Sequence, residues 1–170
     1  MRQQVTKKFQ ELFSTNPKAV FFAGGRVNLI GEHTDYNGGY VLPCALTFGT
    51  YLAARKRNDG KINFFSLNFE EQGVIRADMS QIEKCKNWAT YPKGVIAALR
   101  ACGAKIDSGF DAVYGGNIPN GAGLSSSASI EVLTAVMLNE FFFCNFSAPQ
   151  LAQMSQTAEH TFAGVNCGIM

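Results

Sequence analysis

Apolar residues recur at three- and four-residue intervals along the start of the chain, at Val5, Phe9, Leu12 and Phe13. That spacing puts them on one stripe and predicts an amphipathic helix over residues 3–14. Asn16 and Pro17 end it, because the residue before a proline avoids the α region. From residue 19 the pattern changes to short apolar runs broken by glycine. It predicts strands over 19–23, 26–30 and 40–45, with a tight turn at Asn37, Gly38 and Gly39. The runs TYLAARKR and KINFFSLN flank the turn signal Asn58, Asp59 and Gly60 and read as a hairpin, and GVIRADM reads as a further strand. Helical spacing returns over 88–102, with Gly103 as the stop. A strand over 110–114 leads into GGNIPNGAGLSSSASIEV, and a helix over 129–143 follows, apolar on most faces and so buried. A last helix begins at Ser147. Ser147 and Gln150 fit a capping box, Pro149 suits the first turn, Leu151, Met154, Ala158 and Phe162 form the buried stripe, and Gly164 stops the helix.

Hairpins mixed with helices, with no repeat, linker or internal boundary, give an α+β class and one domain over residues 1–170. At 170 residues, 46% hydrophobic and 16% charged, the chain is long and apolar enough for a core and too apolar to be disordered. A net charge of +2, with its longest basic cluster at Arg55, Lys56 and Arg57, argues against a nucleic-acid partner. No apolar stretch approaches the ~20 residues that span a bilayer, so no membrane partner is expected, and the N-terminus has no secretory apolar region. Cys44, Cys85, Cys102, Cys144 and Cys167 are scattered without a CxxC pair. They read as reduced, buried thiols of a cytoplasmic protein.

Two stretches carry candidate chemistry. A glycine-rich turn between a strand and a helix points backbone N–H groups outward, and the helix N-terminus adds partial positive charge, which together make an anion site suited to phosphate. Gly121 and Gly123 let the backbone approach a ligand, and Ser125, Ser126, Ser127 and Ser129 offer hydroxyls to phosphate oxygens or Mg2+. The stretch is neither a GK[ST] loop nor a G-x-G-x-x-G dinucleotide pattern. Helix capping alone does not explain it: Glu131 is not three residues after any serine, and one cap would not need four of them. The second stretch places Arg26, Asn28, Glu32, His33, Asp35, Tyr36 and Asn37 within twelve residues. Carboxylates accept paired hydrogen bonds from vicinal sugar hydroxyls, and an arginine clamps phosphate or steadies charge that develops during transfer. A salt-bridged turn is the plain alternative. The spacing of a HExxH zinc centre is absent.

Four segments together resemble the galactokinases, within the GHMP small-molecule kinases. They are RVNLIGEHTDY at 26–36, WATYPKGV at 88–95, PNGAGLSSSAS at 119–129 and AEHTFAGVNCGIM at 158–170. The resemblance implies a ribosomal-S5-domain-2-like lobe, a mixed sheet with helices on one side. It implies transfer of the γ-phosphoryl group of MgATP to the anomeric hydroxyl of galactose, by a protein that is monomeric when complete. Arg26 would be the catalytic arginine. Glu32, His33 and Asp35 would bind sugar hydroxyls, with Gly168 contributing its backbone. Gly121, Gly123, Ser125, Ser126 and Ser127 would cradle the ATP phosphates, Ser127 and Glu159 would hold Mg2+, and Trp88 would line the adenine site. Tyr36 and Trp88 can also be read as packing aromatics, and Glu159 as a solvated helix carboxylate.

The chain departs from the family pattern in three places. Gly24 stands where galactokinases usually have proline, and Pro92 stands where they usually do not. Met170 is the last residue, where the family continues at once with its catalytic aspartate. The ending on apolar residues therefore suggests a chain cut inside a larger fold, with apolar surface exposed and negligible turnover by itself. Two alternatives stay open: a non-catalytic galactose- and ATP-binding regulator, against which the intact Ser127 and Ala128 speak, and an N-acetylgalactosamine kinase.

Overall fold

A computed structural model describes residues 1–119 and 123–170. Helix α1 (Arg2–Phe13) is followed by strands β1 (Ala19–Asn28), β2 (Pro43–Lys56), β3 (Lys61–Ser66) and β4 (Ile75–Asp78). Helix α2 (Thr90–Ala101), strand β5 (Phe110–Gly116), helix α3 (Ser126–Phe141) and helix α4 (Ala148–Ala158) complete the order. A π-helical turn, Glu159–Ala163, extends α4 until Gly164 turns out at φ 73°. The capping box at the start of α4 forms, with the Ser147 N–H donating to Gln150 Oε1 at 2.8 Å.

The strands form one mixed sheet in the order β1-β2-β5-β3-β4, with β3 and β5 parallel and the other neighbours antiparallel. This corrects two expectations. The segments 19–23 and 26–30 are one strand, β1, carrying a bulge between Gly24 and Arg26, and the segment 40–45 runs into β2, which continues to Lys56. The runs on either side of Asn58, Asp59 and Gly60 are not a hairpin, because β5 lies between them. The turn residues reverse the chain but do not choose the neighbour; burial does. Residues 110–115 of β5 are all buried, so this strand takes the centre.

Asp111 shows how the centre tolerates a charge. Its carboxylate is fully buried and bound from both flanking strands. On one side Arg55 donates at 2.6 Å and Arg57 at 3.0 Å; on the other Asn63 donates at 2.7 Å. Arg55 and Arg57 of ARKR thus serve the centre of the sheet, whereas Lys56 pairs with the exposed Asp107.

Alternation along the strands divides the core. Leu52, Ala54, Phe64, Ala112 and Tyr114 face α2, α3 and α4, whereas Ala53, Phe65 and Val113 face Val5 and Phe9 of α1. The α+β class and the mixed sheet stand, but helices cover both faces, with three on one side and α1 on the other. A one-residue step along a strand reverses the side-chain direction, so two successive apolar residues need cover on both faces.

The cysteines are not buried small hydrophobes: Cys44 and Cys102 are exposed and the other three are half-buried. Leu29, Ile30, Tyr40, Leu42 and Phe48 are exposed. Among the described residues no helix is long and apolar enough to cross a membrane.

One hydrogen-bond chain joins the sheet to α3. The Thr134 hydroxyl donates to Ile130 O at 2.7 Å, which leaves its oxygen to accept from Tyr114 Oη at 2.9 Å. Both residues are buried. Replacing Thr134 by valine keeps the volume and strands the phenol, at an expected cost of about 1–3 kcal/mol. Urea denaturation of Thr134→Val should show this as a lower midpoint at unchanged slope.

Candidate functional site

The site begins at the β1 bulge. A Cβ on Gly25 would stand 2.8 Å from Leu124 O and 3.2 Å from the Ile118 side chain, so only glycine lets the strand come this close to the loop before α3. The next residue uses that approach: the Arg26 N–H donates to Leu124 O at 3.2 Å. Ser129 fastens the same junction, its hydroxyl lying 2.9 Å from Ala23 O and 3.0 Å from Thr50 Oγ1. Ser129 is therefore a structural residue, not one of the hydroxyls open to a phosphate.

Helix α3 starts at Ser126, three residues earlier than its apolar pattern suggests, so the serines form its first turn. Ser125 is the N-cap in the left-handed region, at φ 58°, with no side-chain cap bond, and Gly123 before it has φ 65°. The hydroxyls of Ser125, Ser126 and Ser127 make no hydrogen bond among the described residues and stand beside the positive end of the α3 dipole. Gly121 lies outside the described residues.

Two cavities meet at Ser127. One, of about 180 Å³, runs from Trp88 and Tyr91 past Tyr114 to Ser126 and Ser127. Trp88 serves it both ways. The ring is 6% exposed and packs edge-on against Tyr114 at 5.4 Å, so it is core; one side also forms cavity wall. The other cavity, of about 210 Å³, is lined by Arg26, Ser125, Ser127, Glu131, Glu159, Gly168 and Met170, among others.

Arg26 and Asp35 are joined through the last residue. Arg26 Nη2 donates to Met170 O at 2.8 Å, and the Met170 N–H donates to Asp35 Oδ2 at 3.4 Å. A Cβ on Gly168 would run into the Asp35 carboxylate and push it aside. The structure thus gathers Arg26, Asp35, Gly168, Ser127 and Glu159. It keeps Glu32 and His33 on the exposed 29–42 connection, away from the cavity walls. His33 has φ 60°, its ring Nδ1 meets Tyr36 Oη, and its carbonyl accepts from Asn37 Nδ2 at 2.8 Å. At 60% exposure Tyr36 is no core aromatic.

Sequence reasoning missed Glu131. It sits one turn beyond Ser127 on α3, is 1% exposed, and its Oε1 has no partner. The available signal was a lone carboxylate four residues after a loop serine, on a helix otherwise apolar enough to be buried. Burial, and then the neighbouring Glu159 carboxylate, push the Glu131 carboxyl up to about 9. Glu159 is itself buried, not solvated, and its Oε2 accepts from the Cys167 thiol at 3.5 Å. Burial above all pushes that thiol up to about 11, so it stays protonated. Two buried carboxylates and a free hydroxyl, with one orphaned oxygen, are a hard donor set that fits Mg2+.

Comparison with known proteins places these features in a family. Residues 7–56 match the galactokinase galactose-binding signature and residues 90–170 match the GHMP kinases N terminal domain. A galactokinase of Clostridium acetobutylicum is 53% identical over 166 residues, covering 96% of this chain and 43% of the relative. That of Bacillus subtilis is 51% identical, covering 100% and 44%. The crystal structure of Lactococcus lactis galactokinase complexed with galactose superposes with a TM-score of 0.93 at 46% identity, covering 98% of this chain and 44% of that one. Methanococcus jannaschii mevalonate kinase, 18% identical with a TM-score of 0.73, shares the fold, covering 86% and 47%. The chain thus spans less than half the length of the relatives it matches.

The Glu131 carboxyl yields a signed test. Its folded value of about 9 lies above the unfolded one, roughly 4.3. The folded chain keeps a proton that the unfolded chain releases, so this contribution to stability is whole below the unfolded value and is lost as pH rises towards 9. Glu131→Gln in metal-free buffer should therefore gain in Tm over the wild type between about pH 5 and pH 9, by several degrees. Thermal melts giving a pH-independent difference would contradict the assignment.

Proposed function

This chain belongs to the galactokinases, within the GHMP kinases, and we propose that the protein carrying it transfers the γ-phosphoryl group of ATP to the anomeric hydroxyl of galactose, giving galactose 1-phosphate. The observation that carries this reading is the position of Arg26. Its guanidinium stands in a cavity that shares Ser127 with the Trp88 cavity, tied through Met170 to Asp35 and beside Gly168.

The roles follow from that layout. Trp88 offers an apolar wall to the adenine ring. Ser125, Ser126 and Ser127, with Gly121, Gly123 and the N-terminus of α3, receive the phosphates through hydroxyls, amides and the helix dipole instead of a lysine. Ser127 and Glu159 hold Mg2+, with Glu131 behind them; the bound cation offsets phosphate charge. Asp35 and the Gly168 backbone hold the sugar, and the 29–42 connection supplies Glu32 and His33 to its hydroxyls. Arg26 faces the group in transit and balances the charge on its oxygens. Phosphoryl transfer asks little covalent chemistry of a protein, so position and charge carry the catalysis. The relatives at 51–53% identity are galactokinases, which favours galactose as the acceptor over the N-acetylated sugar and catalysis over a purely regulatory role. The protein is read as a cytoplasmic monomer.

Arg26→Ala in the protein carrying this chain should lower kcat for galactose by roughly a thousandfold or more in a coupled ADP-release assay. ATP affinity, followed by calorimetric titration, should change little. Near-normal turnover would remove Arg26 from its role. ADP release without a galactose requirement would overturn the substrate.

A further inference from the structure

We propose that Gln156 and His160 are positioning residues that hold Cys167, and through it Gly168 and Met170, in place on Asp35 and Arg26. The inference rests on the sugar-side reading above, and it assigns two residues to which that reading gives no part.

Residues 164–170 have no regular secondary structure, so their backbone groups need partners from elsewhere. For Cys167 these are side chains. Gln156 Nε2 donates to Cys167 O at 3.1 Å. His160 Nε2 lies 2.9 Å from the same carbonyl oxygen and 3.2 Å from the Cys167 nitrogen. One ring nitrogen cannot do both at once: in one tautomer it donates to the carbonyl, in the other it accepts the N–H. Either way the ring holds the Cys167 backbone, by the carbonyl in one tautomer and by the N–H in the other, and Gln156 keeps the carbonyl bound. The Cys167 thiol meanwhile donates to Glu159 Oε2. Gln156, Glu159 and His160 are spaced i, i+3 and i+4, so one helical face closes on one residue.

The grip matters because the next three residues have little else. Beyond the clamp, the hydrogen bonds of the segment among the described residues are those of the Gly164 and Val165 N–H groups to Glu159 O, Met170 O to Arg26 and Met170 N–H to Asp35. Gly168 sits against Asp35 so closely that a methyl group would not fit. A shift of Cys167 by a fraction of an ångström therefore moves the Gly168 backbone off Asp35 and pulls on the guanidinium of Arg26. The face that carries Glu159 on the cation side thus sets the backbone on the sugar side.

The experiment uses the protein carrying this chain and four variants: Gln156→Ala, His160→Ala, their double, and His160→Gln, whose amide reaches as far as the imidazole Nε2 and can donate or accept. Amide hydrogen exchange over residues 165–170 reports the backbone without any ligand. Calorimetric titration with galactose reports the sugar side, and calorimetric titration with ATP reports the nucleotide side. The double variant should lose exchange protection in the segment and bind galactose about tenfold more weakly, with ATP affinity held within about twofold. His160→Gln should recover most of both losses. Unchanged exchange and unchanged galactose affinity in the double variant would overturn the proposal. So would equal loss of both ligands with a large fall in Tm, or a His160→Gln protein as impaired as His160→Ala. If the wild-type protein carrying this chain binds no galactose, the substrate reading fails by itself, and the exchange data alone decide whether the clamp positions the segment.

Discussion

The close approach of β1 to the loop before α3 governs the rest of the site. The contact is small: a bulge, a glycine without a side chain, and one hydrogen bond from the Arg26 N–H to the Leu124 carbonyl. Without it Arg26 would remain on the edge strand of the sheet, remote from the serines of α3. Ser129 repeats the attachment one helical turn later by reaching Ala23 O. Two backbone carbonyls, one on each partner, thus lock strand and helix together, and the cavities form where the lock leaves space. Close packing of this kind tolerates little change, because the neighbours on both sides are backbone atoms that cannot swing away.

What the sequence revealed divides along the same line. Features set within a few residues were legible: the stripe Val5, Phe9 in α1, the capping box of Ser147 and Gln150, the stops at Gly103 and Gly164. Each is fixed by local sterics or by a hydrogen bond across three or four positions. The order of strands was not legible, since the turn at Asn58, Asp59 and Gly60 looks the same whether its strands pair or part. Only the partners of Asp111 settle it. A carboxylate on a buried strand needs cations on a neighbour, and Arg55 of β2 and Arg57 just beyond its end supply them while Asn63 approaches from β3. That information is spread over 57 positions of chain, from Arg55 to Asp111, and no local window holds it.

The serine-rich stretch shows a finer limit. Four serines look alike on paper, yet the structure sorts them by helical position. Ser129 turns inward to bind backbone, whereas Ser125, Ser126 and Ser127 form the cap and first turn with free hydroxyls. Glu131 was harder still to see. Its apolar neighbours suggested a helix buried all round, which would make a carboxylate a mistake of composition. It becomes intelligible only when α4 brings Glu159 beside it.

The charges that line the second cavity carry the strongest physical argument for function. Arg26 and the carboxylates Glu131 and Glu159 share its walls, yet among the described residues no ion pair joins them. Arg26 Nε and Glu131 Oε1 are both buried without a partner. A purely structural cluster would be expected to resolve this, because opposite charges removed from water gain most by meeting. Here the guanidinium turns to a main-chain carbonyl and Glu159 accepts from a thiol. Asp111 is the internal contrast: equally buried, it is matched by Arg55, Arg57 and Asn63. A guanidinium and two carboxyl groups kept apart around a space suit a ligand that is both anionic and accompanied by a cation, and a phosphate bound with its metal is such a ligand.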